Sequence, residues 1–183
     1  HCQHSRVANC EFANLGGIGV LLAGYGPGTK DVNRENEVVN NWVHHIGEIY
    51  WASPGIMVWQ SGENQVTHNL IHDTQCDGII LSTVDPSRGK VEIYNNVIYN
   101  AGQGPNNPER TGYWSCIMVN GSTANGVPGG GTVEVYGNTL YNCGTHPNPP
   151  YTNAVTAVAN GGNNHNLKVR LRNNVIYQPR GVP

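Results

Sequence analysis

Short apolar segments alternate with turns rich in Asn and Gly along the chain, and one kind of segment recurs five times. Each copy has an apolar residue three positions before a central asparagine and another apolar residue two positions after it. A sixth, degraded copy lies at residues 6–16. In chain order the copies read RVANCEFANLG, EVVNNWVHHIG, QVTHNLIHDTQ, EIYNNVIYNAG, EVYGNTLYNCG and VRLRNNVIYQP, with central asparagines Asn9, Asn41, Asn69, Asn96, Asn138 and Asn174.

A second kind of segment alternates with the first, at residues 17–22, 55–60, 78–83, 116–121 and 154–159. Both kinds are short, rich in β-branched residues and bounded by Gly, Asn or Pro, so both predict β-strands. The interval from Ile56 to Ile79 contains one segment of each kind. The other intervals between successive segments of the second kind contain about 15 further residues. A repeat of that size with strands and no helical pattern is typical of one coil of a β-solenoid.

These repeats predict an all-β solenoid of about five to six coils. The asparagines would lie at one bend of successive coils, ~4.8 Å apart, with their amides hydrogen-bonded to one another and to the turn backbone. The alternative is a β-sandwich whose strands are joined by unrelated Asn-rich turns. The repeated apolar positions around the asparagine favour the solenoid.

About a third of the chain resembles a known family. This stretch, residues 24–81, reads GYGPGTKDVNRENEVVNNWVHHIGEIYWASPGIMVWQSGENQVTHNLIHDTQCDGIIL. It is similar to right-handed parallel β-helix proteins of the pectate-lyase-like superfamily, and most to bacterial glycoside-hydrolase-like ones. The resemblance implies a right-handed parallel β-helix that cleaves polysaccharide, either by hydrolysis or by the elimination reaction of a lyase. The polygalacturonase motifs NTD, DD, GHG and RIK and the Arg/Lys motifs of pectate lyases are absent, so catalytic residues do not carry over.

Composition narrows the function classes. The 183 residues carry 10 basic and 12 acidic side chains, which gives no overall charge for binding nucleic acid or an anionic membrane. No apolar run approaches the ~18 residues of a membrane span. Because Pro and Gly are spread over several loops, we expect one domain over residues 1–183. The degraded first repeat predicts a fragment of a longer chain, and the resemblance implies a secreted or cell-surface bacterial protein. Open solenoid ends would then pair with further domains or other copies.

The five cysteines match no metal-binding spacing. They are Cys2, Cys10, Cys76, Cys116 and Cys143. Buried thiols that fill core volume are the simpler interpretation. A bridge between nearby coils is the alternative, because Cys76 and Cys116 precede equivalent strands.

The loops that follow the asparagine-centred strands predict a cleft along one edge of the solenoid. Aromatic rings can pack against sugar C–H faces there, while carboxylates bind hydroxyls and transfer protons. The alternative is that the aromatic residues only hold their own loops in place. The candidate catalytic residues are Glu48, Asp73, Asp77 and Arg110, and the candidate substrate-binding residues are Tyr50, Trp51, His72, Tyr113 and Trp114.

A column of rings is predicted three residues after each ladder asparagine. It contains His44, His72, Tyr99, Tyr141 and Tyr177. Simple stacking explains such a column, and the neighbouring His and Asp residues show no diagnostic metal spacing. No cofactor is expected, although Asp31, Asn33 and Glu35 weakly resemble a calcium loop.

Two functional classes follow. The first is an enzyme acting on polysaccharide, most plausibly a glycoside hydrolase with Glu48 and Asp73 or Asp77 as paired carboxylates. A lyase would instead use Arg110 as its base. The second is a non-catalytic solenoid that binds glycan or assembles into a surface fibre. An outward apolar stripe favours self-association, and it consists of Leu21, Met57, Ile80 and Met118.

Overall fold

The computed structural model describes nine segments of the chain, at residues 2–25, 33–82, 89–104, 114–121, 123–124, 127–128, 131–144, 152–158 and 167–179. These residues form three parallel sheets and one short antiparallel hairpin, and every strand of the three parallel sheets pairs with its counterpart in an adjacent coil. The fold is therefore the expected parallel β-helix of five to six coils rather than a sandwich.

The first two sheets hold the asparagine-centred segments. The first sheet contains β1 (Arg6–Ala8), β4 (Glu37–Val39), β7 (Gln65–Thr67), β10 (Lys90–Tyr94), β15 (Gly131–Tyr136) and β18 (Leu167–Arg172). The second sheet contains β2 (Glu11–Leu15), β5 (Trp42–Ile46), β8 (Leu70–Thr74), β11 (Val97–Ala101), β16 (Thr139–Tyr141) and β19 (Val175–Tyr177).

The third sheet holds the second kind of segment. It contains β3 (Val20–Ala23), β6 (Ile56–Trp59), β9 (Ile79–Ser82), β12 (Trp114–Asn120) and β17 (Thr152–Val158). The hairpin β13 (Thr123–Ala124) and β14 (Val127–Pro128) follows β12. Glycine precedes β6 and β9 because the coils approach closely there. A Cβ on Gly55 would lie 2.8 Å from the Gly78 carbonyl oxygen, and a Cβ on Gly78 would lie 2.8 Å from the Cys116 carbonyl oxygen.

Inward-facing aliphatic residues of the three sheets form one continuous core. The fully buried members include Val38, Val66, Ile93 and Val135 of the first sheet, Val43, Ile71, Ile98 and Leu140 of the second, and Ile56, Ile79 and Ile117 of the third. In the last described coil the equivalent residues Leu171 and Ile176 are exposed, since no described strand lies beyond β18 and β19.

The predicted asparagine ladder is present at the bend between the first and second sheets. Four consecutive Nδ2–Oδ1 hydrogen bonds, each 3.0 Å long, connect Asn41, Asn69, Asn96, Asn138 and Asn174. The ladder runs through the buried interior of the bend, where both ends of each amide have partners.

The assignment of Asn9 to this ladder is wrong by one residue. Val7 pairs with Val38, so the ladder position in the first coil is Cys10, whose backbone N–H donates to Asn41 Oδ1 at 3.1 Å. Asn9 instead lies beside Asn40, whose amide donates to Asn9 Oδ1 at 2.7 Å. The degraded copy has Asn9-Cys10 where the next copy has Asn40-Asn41. Aligning the copies on asparagine therefore shifted the first coil by one residue.

A second polar network stabilises the bend before β4 and β7, and the sequence repeats did not predict it. Asn36 donates to Asn64 Oδ1 and to Asn33 Oδ1, each at 3.1 Å. Asn64 in turn donates to Ser61 Oγ at 2.8 Å. All four side chains are buried, so this network satisfies polar groups that water cannot reach.

One cysteine pair is bridged. Cys116 at the start of β12 and Cys143 after β16 form a disulfide with Cα atoms 5.3 Å apart, so the expectation of thiols alone is wrong for this pair. Cys76 is buried outside the disulfide, and its thiol donates to Asp77 Oδ2 at 3.3 Å. The bridge joins different residues from the Cys76–Cys116 alternative considered from the sequence.

Replacing the ladder residue Asn96 with leucine is expected to reduce the free energy of unfolding by about 1–3 kcal/mol. Asn96 Oδ1 accepts from Asn69 N–H at 2.9 Å, and Asn96 Nδ2 donates to the Val66 carbonyl at 2.9 Å. Leucine would leave both backbone groups buried without a partner. Urea unfolding measures the loss.

The matched control is Asn153→Leu, because Asn153 is an exposed strand residue with no side-chain hydrogen bond among the described residues. Equal losses of stability in the two variants would contradict the special role of the ladder.

Candidate functional site

The loop after β5 presents two of the predicted site residues to solvent. Gly47 begins this loop with a positive φ of 84°, which favours glycine. The N–H groups of Glu48 and Tyr50 then donate to the carbonyls of Leu15 and Gly16 in the preceding coil. These backbone bonds hold the loop, and the side chains of Glu48 and Tyr50 point outward and are exposed.

The two predicted tryptophan platforms contact one another instead of flanking an open groove. The rings of Trp51 and Trp114 meet edge to face with centroids 6.0 Å apart. Trp114 is buried at the start of β12, and Trp51 is half-buried. This packing matches the alternative in which the aromatic residues hold their own loops.

Asp77 does not face a cleft, because its side chain is only 1% exposed. Its Oδ1 accepts from the Ser115 backbone N–H at 2.6 Å and from Ser115 Oγ at 2.7 Å. Burial raises the pKa of this carboxyl to about 6, although the bonds from Ser115 and Cys76 act in the opposite direction. Asp77 thus connects adjacent coils from the inside, and the expectation that it shares an open cleft with Glu48 is not met.

Asp73 and His72 form a close pair on the outer face of β8. His72 Nδ1 lies 2.7 Å from Asp73 Oδ2, and Asn100 donates to Asp73 Oδ1 at 3.1 Å. Trp42 Nε1, which can only donate, lies 2.8 Å from His72 Nε2. His72 Nε2 must therefore accept, so Nδ1 carries the proton and donates to the carboxylate.

The predicted ring column is present on this outer face. His44 stacks on His72 at 5.0 Å, His72 stacks on Tyr99 at 4.5 Å, and Tyr141 stacks on Tyr177 at 5.6 Å. His44 is also held by Glu11 Oε1 at 3.1 Å and by His45 Nδ1 at 2.8 Å. All four nitrogens of His44 and His72 therefore have protein partners, which disfavours both metal ligation and general-base chemistry by these rings.

One exposed aromatic residue on this face, Trp42, was missed in the sequence analysis. Trp42 is 44% exposed, and its indole is tilted against the His44 ring at 4.4 Å. Leu70 and Val97 continue the row in register with Trp42 on the next two coils, and both are partly exposed. The alternation of β5 places Trp42 on the same face as His44, and this alternation was the signal that could have identified it.

A surface depression of about 420 Å³ adjoins Trp42 at the corner between the first and second sheets. Its lining combines the indole with a carboxylate, amides and an imidazole. The residues are Asn9, Cys10, Glu11, Asn40, Asn41, Trp42, His68 and Leu70. An apolar ring next to several hydrogen-bonding groups can bind a sugar through its C–H face and its hydroxyls together.

Several candidates fall wholly or partly outside the structure. Arg110 and Tyr113 lie outside the described residues, as does Asp31 of the calcium-like pattern. Asn33 of that pattern accepts from Ser61 Oγ at 2.8 Å, and Glu35 pairs with His4 at 2.9 Å. Among the described residues, no group of three or more His, Cys, Asp or Glu side chains is arranged to hold a metal ion.

Comparison with known proteins gave no match for this chain. No family model, curated protein or solved structure matched it. In the described part of the chain, no helical segment has the length and hydrophobicity needed to cross a bilayer. The structure supports the fold implied by the resemblance stated above, a parallel β-helix, and the comparisons add no family to it.

Asp77 is expected to make stability fall as pH rises from about 4 to 6. Its folded-state pKa of about 6 lies above the ordinary aspartate pKa of 3.8, so the folded protein favours the protonated carboxyl. The stabilisation is complete below the lower value and is lost as pH passes through the upper one, by about 3 kcal/mol in total. Unfolding free energies measured from pH 4 to 7 should show this loss in the wild type and not in Asp77→Asn. Parallel pH profiles for the two proteins would contradict the assignment.

Proposed function

We propose that this chain binds polysaccharide through the outer face of its second sheet, with the depression beside Trp42 as the main sugar subsite. Carbohydrate binding is common to the hydrolase and the non-catalytic functions predicted from the sequence. The half-exposed Trp42 indole next to Glu11, Asn40 and His68 is the observation that carries the proposal.

The rigidity of Trp42 supports a binding role. Its Nε1 is bonded to His72, and its ring packs against His44 on a paired strand. An aromatic group fixed in this way loses little conformational entropy when a ligand covers it. The row Trp42, Leu70 and Val97 then extends the apolar contact along the solenoid axis for a chain-like ligand.

Catalysis is a separate prediction: a hydrolase would cleave the polysaccharide that this surface binds. Hydrolysis needs two carboxyl groups that reach the same glycosidic bond. Asp77 is buried, and both oxygens of Asp73 are engaged by His72 and Asn100. Glu48 is exposed and is the one candidate whose carboxylate fits a direct catalytic role. Binding without catalysis is therefore the better-supported function.

Membership in the pectate-lyase-like superfamily and export from the cell belong to the same proposal. The parallel coils and the asparagine ladder support the first. The Cys116–Cys143 disulfide supports the second, because structural disulfides persist mainly in oxidising compartments.

Trp42→Ala is expected to weaken binding to a neutral polysaccharide by about tenfold or more, a loss of at least about 1.4 kcal/mol. The reason is that alanine removes the apolar platform of the subsite. Affinity electrophoresis in gels containing β-glucan, xylan or mannan measures the change.

Trp59→Ala is the matched control, because Trp59 is equally exposed at 44% but lies on the third sheet. Binding that is absent in the wild type for all three polysaccharides, or reduced equally by both substitutions, would refute the subsite.

Self-association is a second candidate function, supported by the stripe on the third sheet. Leu21 is exposed, and Met57, Ile80 and Met118 are only half-buried on the outer face. A partly exposed apolar row of this length is typical of a surface that is covered by a partner.

If this stripe joins copies of the chain, the double substitution Met57→Lys and Ile80→Lys should convert assemblies to monomers. Charged side chains at the contact would have to be desolvated, which disfavours association. Multi-angle light scattering across a concentration series measures the mass. A wild-type protein that stays monomeric throughout would remove this function.

A further inference from the structure

The outer face of the first sheet carries a regular grid of charged and aromatic residues on its last three described strands. Strands β10, β15 and β18 are paired in register over five residues, and every second residue faces outward. Reading across the three strands, the outward rows are Lys90, Thr132 and Lys168, then Glu92, Glu134 and Arg170, then Tyr94, Tyr136 and Arg172.

Positive charge is concentrated on this grid, although the chain as a whole has a formal charge of −2. Four of the six Lys and Arg residues in the described segments lie here, together with two carboxylates. The four cations are Lys90, Lys168, Arg170 and Arg172, and we call this surface the cationic face. Three of them occupy alternate positions of β18, ~6.6 Å apart along the strand.

Glu134 holds the two arginines in place from below. Its side chain is almost buried, with the residue 8% exposed. Its Oε1 lies 2.9 Å from Arg170 Nη1, and its Oε2 lies 3.7 Å from Arg172 Nε. Each guanidinium has five N–H donors, and both arginine side chains remain more than half exposed. Glu134 therefore pairs with two arginines whose side chains remain accessible to solvent.

The aromatic residues of the cationic face are already covered. Tyr94 and Tyr136 stack at 4.9 Å with parallel rings, and Arg172 Cζ lies 4.3 Å from the Tyr136 ring centroid. The His68 ring meets Tyr94 edge to face at 5.9 Å. Single-stranded nucleic acid binds through open aromatic faces on which bases stack. Such faces are missing from this part of the described surface.

From these observations we infer that the cationic face binds a saccharide chain that carries carboxylate or sulfate groups. Arg170 and Arg172 offer paired donors to planar or tetrahedral anions, and Lys168 continues the row toward the next anion of an extended chain. This site is separate from the Trp42 subsite, which lies on the second sheet and contacts neutral parts of a sugar.

The test is affinity electrophoresis in gels containing polygalacturonate, dextran sulfate or neutral dextran, over a range of NaCl concentrations. The wild type should be retarded by at least one of the two polyanions and not by dextran, and salt should weaken the retardation through screening. The double variant Arg170→Gln/Arg172→Gln should lose at least tenfold in affinity. Comparing polygalacturonate with dextran sulfate identifies the preferred anion.

Arg6→Gln is the matched control, since Arg6 lies at the opposite end of the same sheet and pairs with Glu37 at 3.2 Å. Circular dichroism melting of each variant checks the fold. Retardation that is unchanged in the double variant, or lost equally in Arg6→Gln, would overturn the inference, as would tighter binding of an oligothymidylate than of either polyanion. The double variant keeps Trp42, so its retardation in the β-glucan, xylan and mannan gels tests the Trp42 subsite separately from the cationic face.

Discussion

The amide-to-amide contact at the bend between the first and second sheets is the interaction on which the rest of this β-helix depends. Asn69 illustrates it: its Oδ1 accepts from Asn41 N–H, and its Nδ2 donates both to the Val38 carbonyl and to Asn96 Oδ1. One side chain thus joins three successive coils. Only an amide supplies a donor and an acceptor at the same point, because a carboxylate lacks the donor and a hydroxyl is too short to reach both neighbours.

This ladder also fixes the register of the coils. Once Asn41, Asn69 and Asn96 are superposed, every residue at a given distance from them falls into a column that runs along the solenoid. A shift of one residue would move each inward aliphatic residue to the outside, and the ladder amides would lose their partners at the same time. The ring column and the cationic face are therefore consequences of the same register that buries Val38 and Ile71.

Much of the fold could be predicted from the sequence because the repeat is local. Each repeat has an aliphatic residue, an asparagine and a second aliphatic residue at fixed spacing. Strand alternation and one bend are enough to explain this spacing, and all five ladder asparagines were predicted from it. The ring column followed by the same count. The first coil was misaligned, since Cys10 stands where the repeat has asparagine and its backbone N–H makes the ladder contact without the side chain.

The candidate site was harder to predict because it depends on which way loop residues turn and on contacts between coils. Asp77 and Trp114 occupy positions where the sequence predicted a cleft. However, Asp77 accepts two hydrogen bonds from Ser115, and Trp114 is buried. Nothing in the local sequence distinguishes such a carboxylate from an exposed one. Trp42 was predictable, since strand alternation places it on the same outer face as His44, which belongs to the predicted ring column.

The separation of a neutral aromatic surface from a cationic one follows from the shape of a coil. A strand exposes only every second residue, and each sheet faces a different direction around the common core. Glu134 can therefore order arginines on the first sheet while His44 and His72 order Trp42 on the second, with aliphatic layers between them. Changes in an outward column leave the inward column and the ladder intact. A solenoid of this kind can consequently vary its recognition surfaces one sheet at a time without altering the interactions that keep its coils in register.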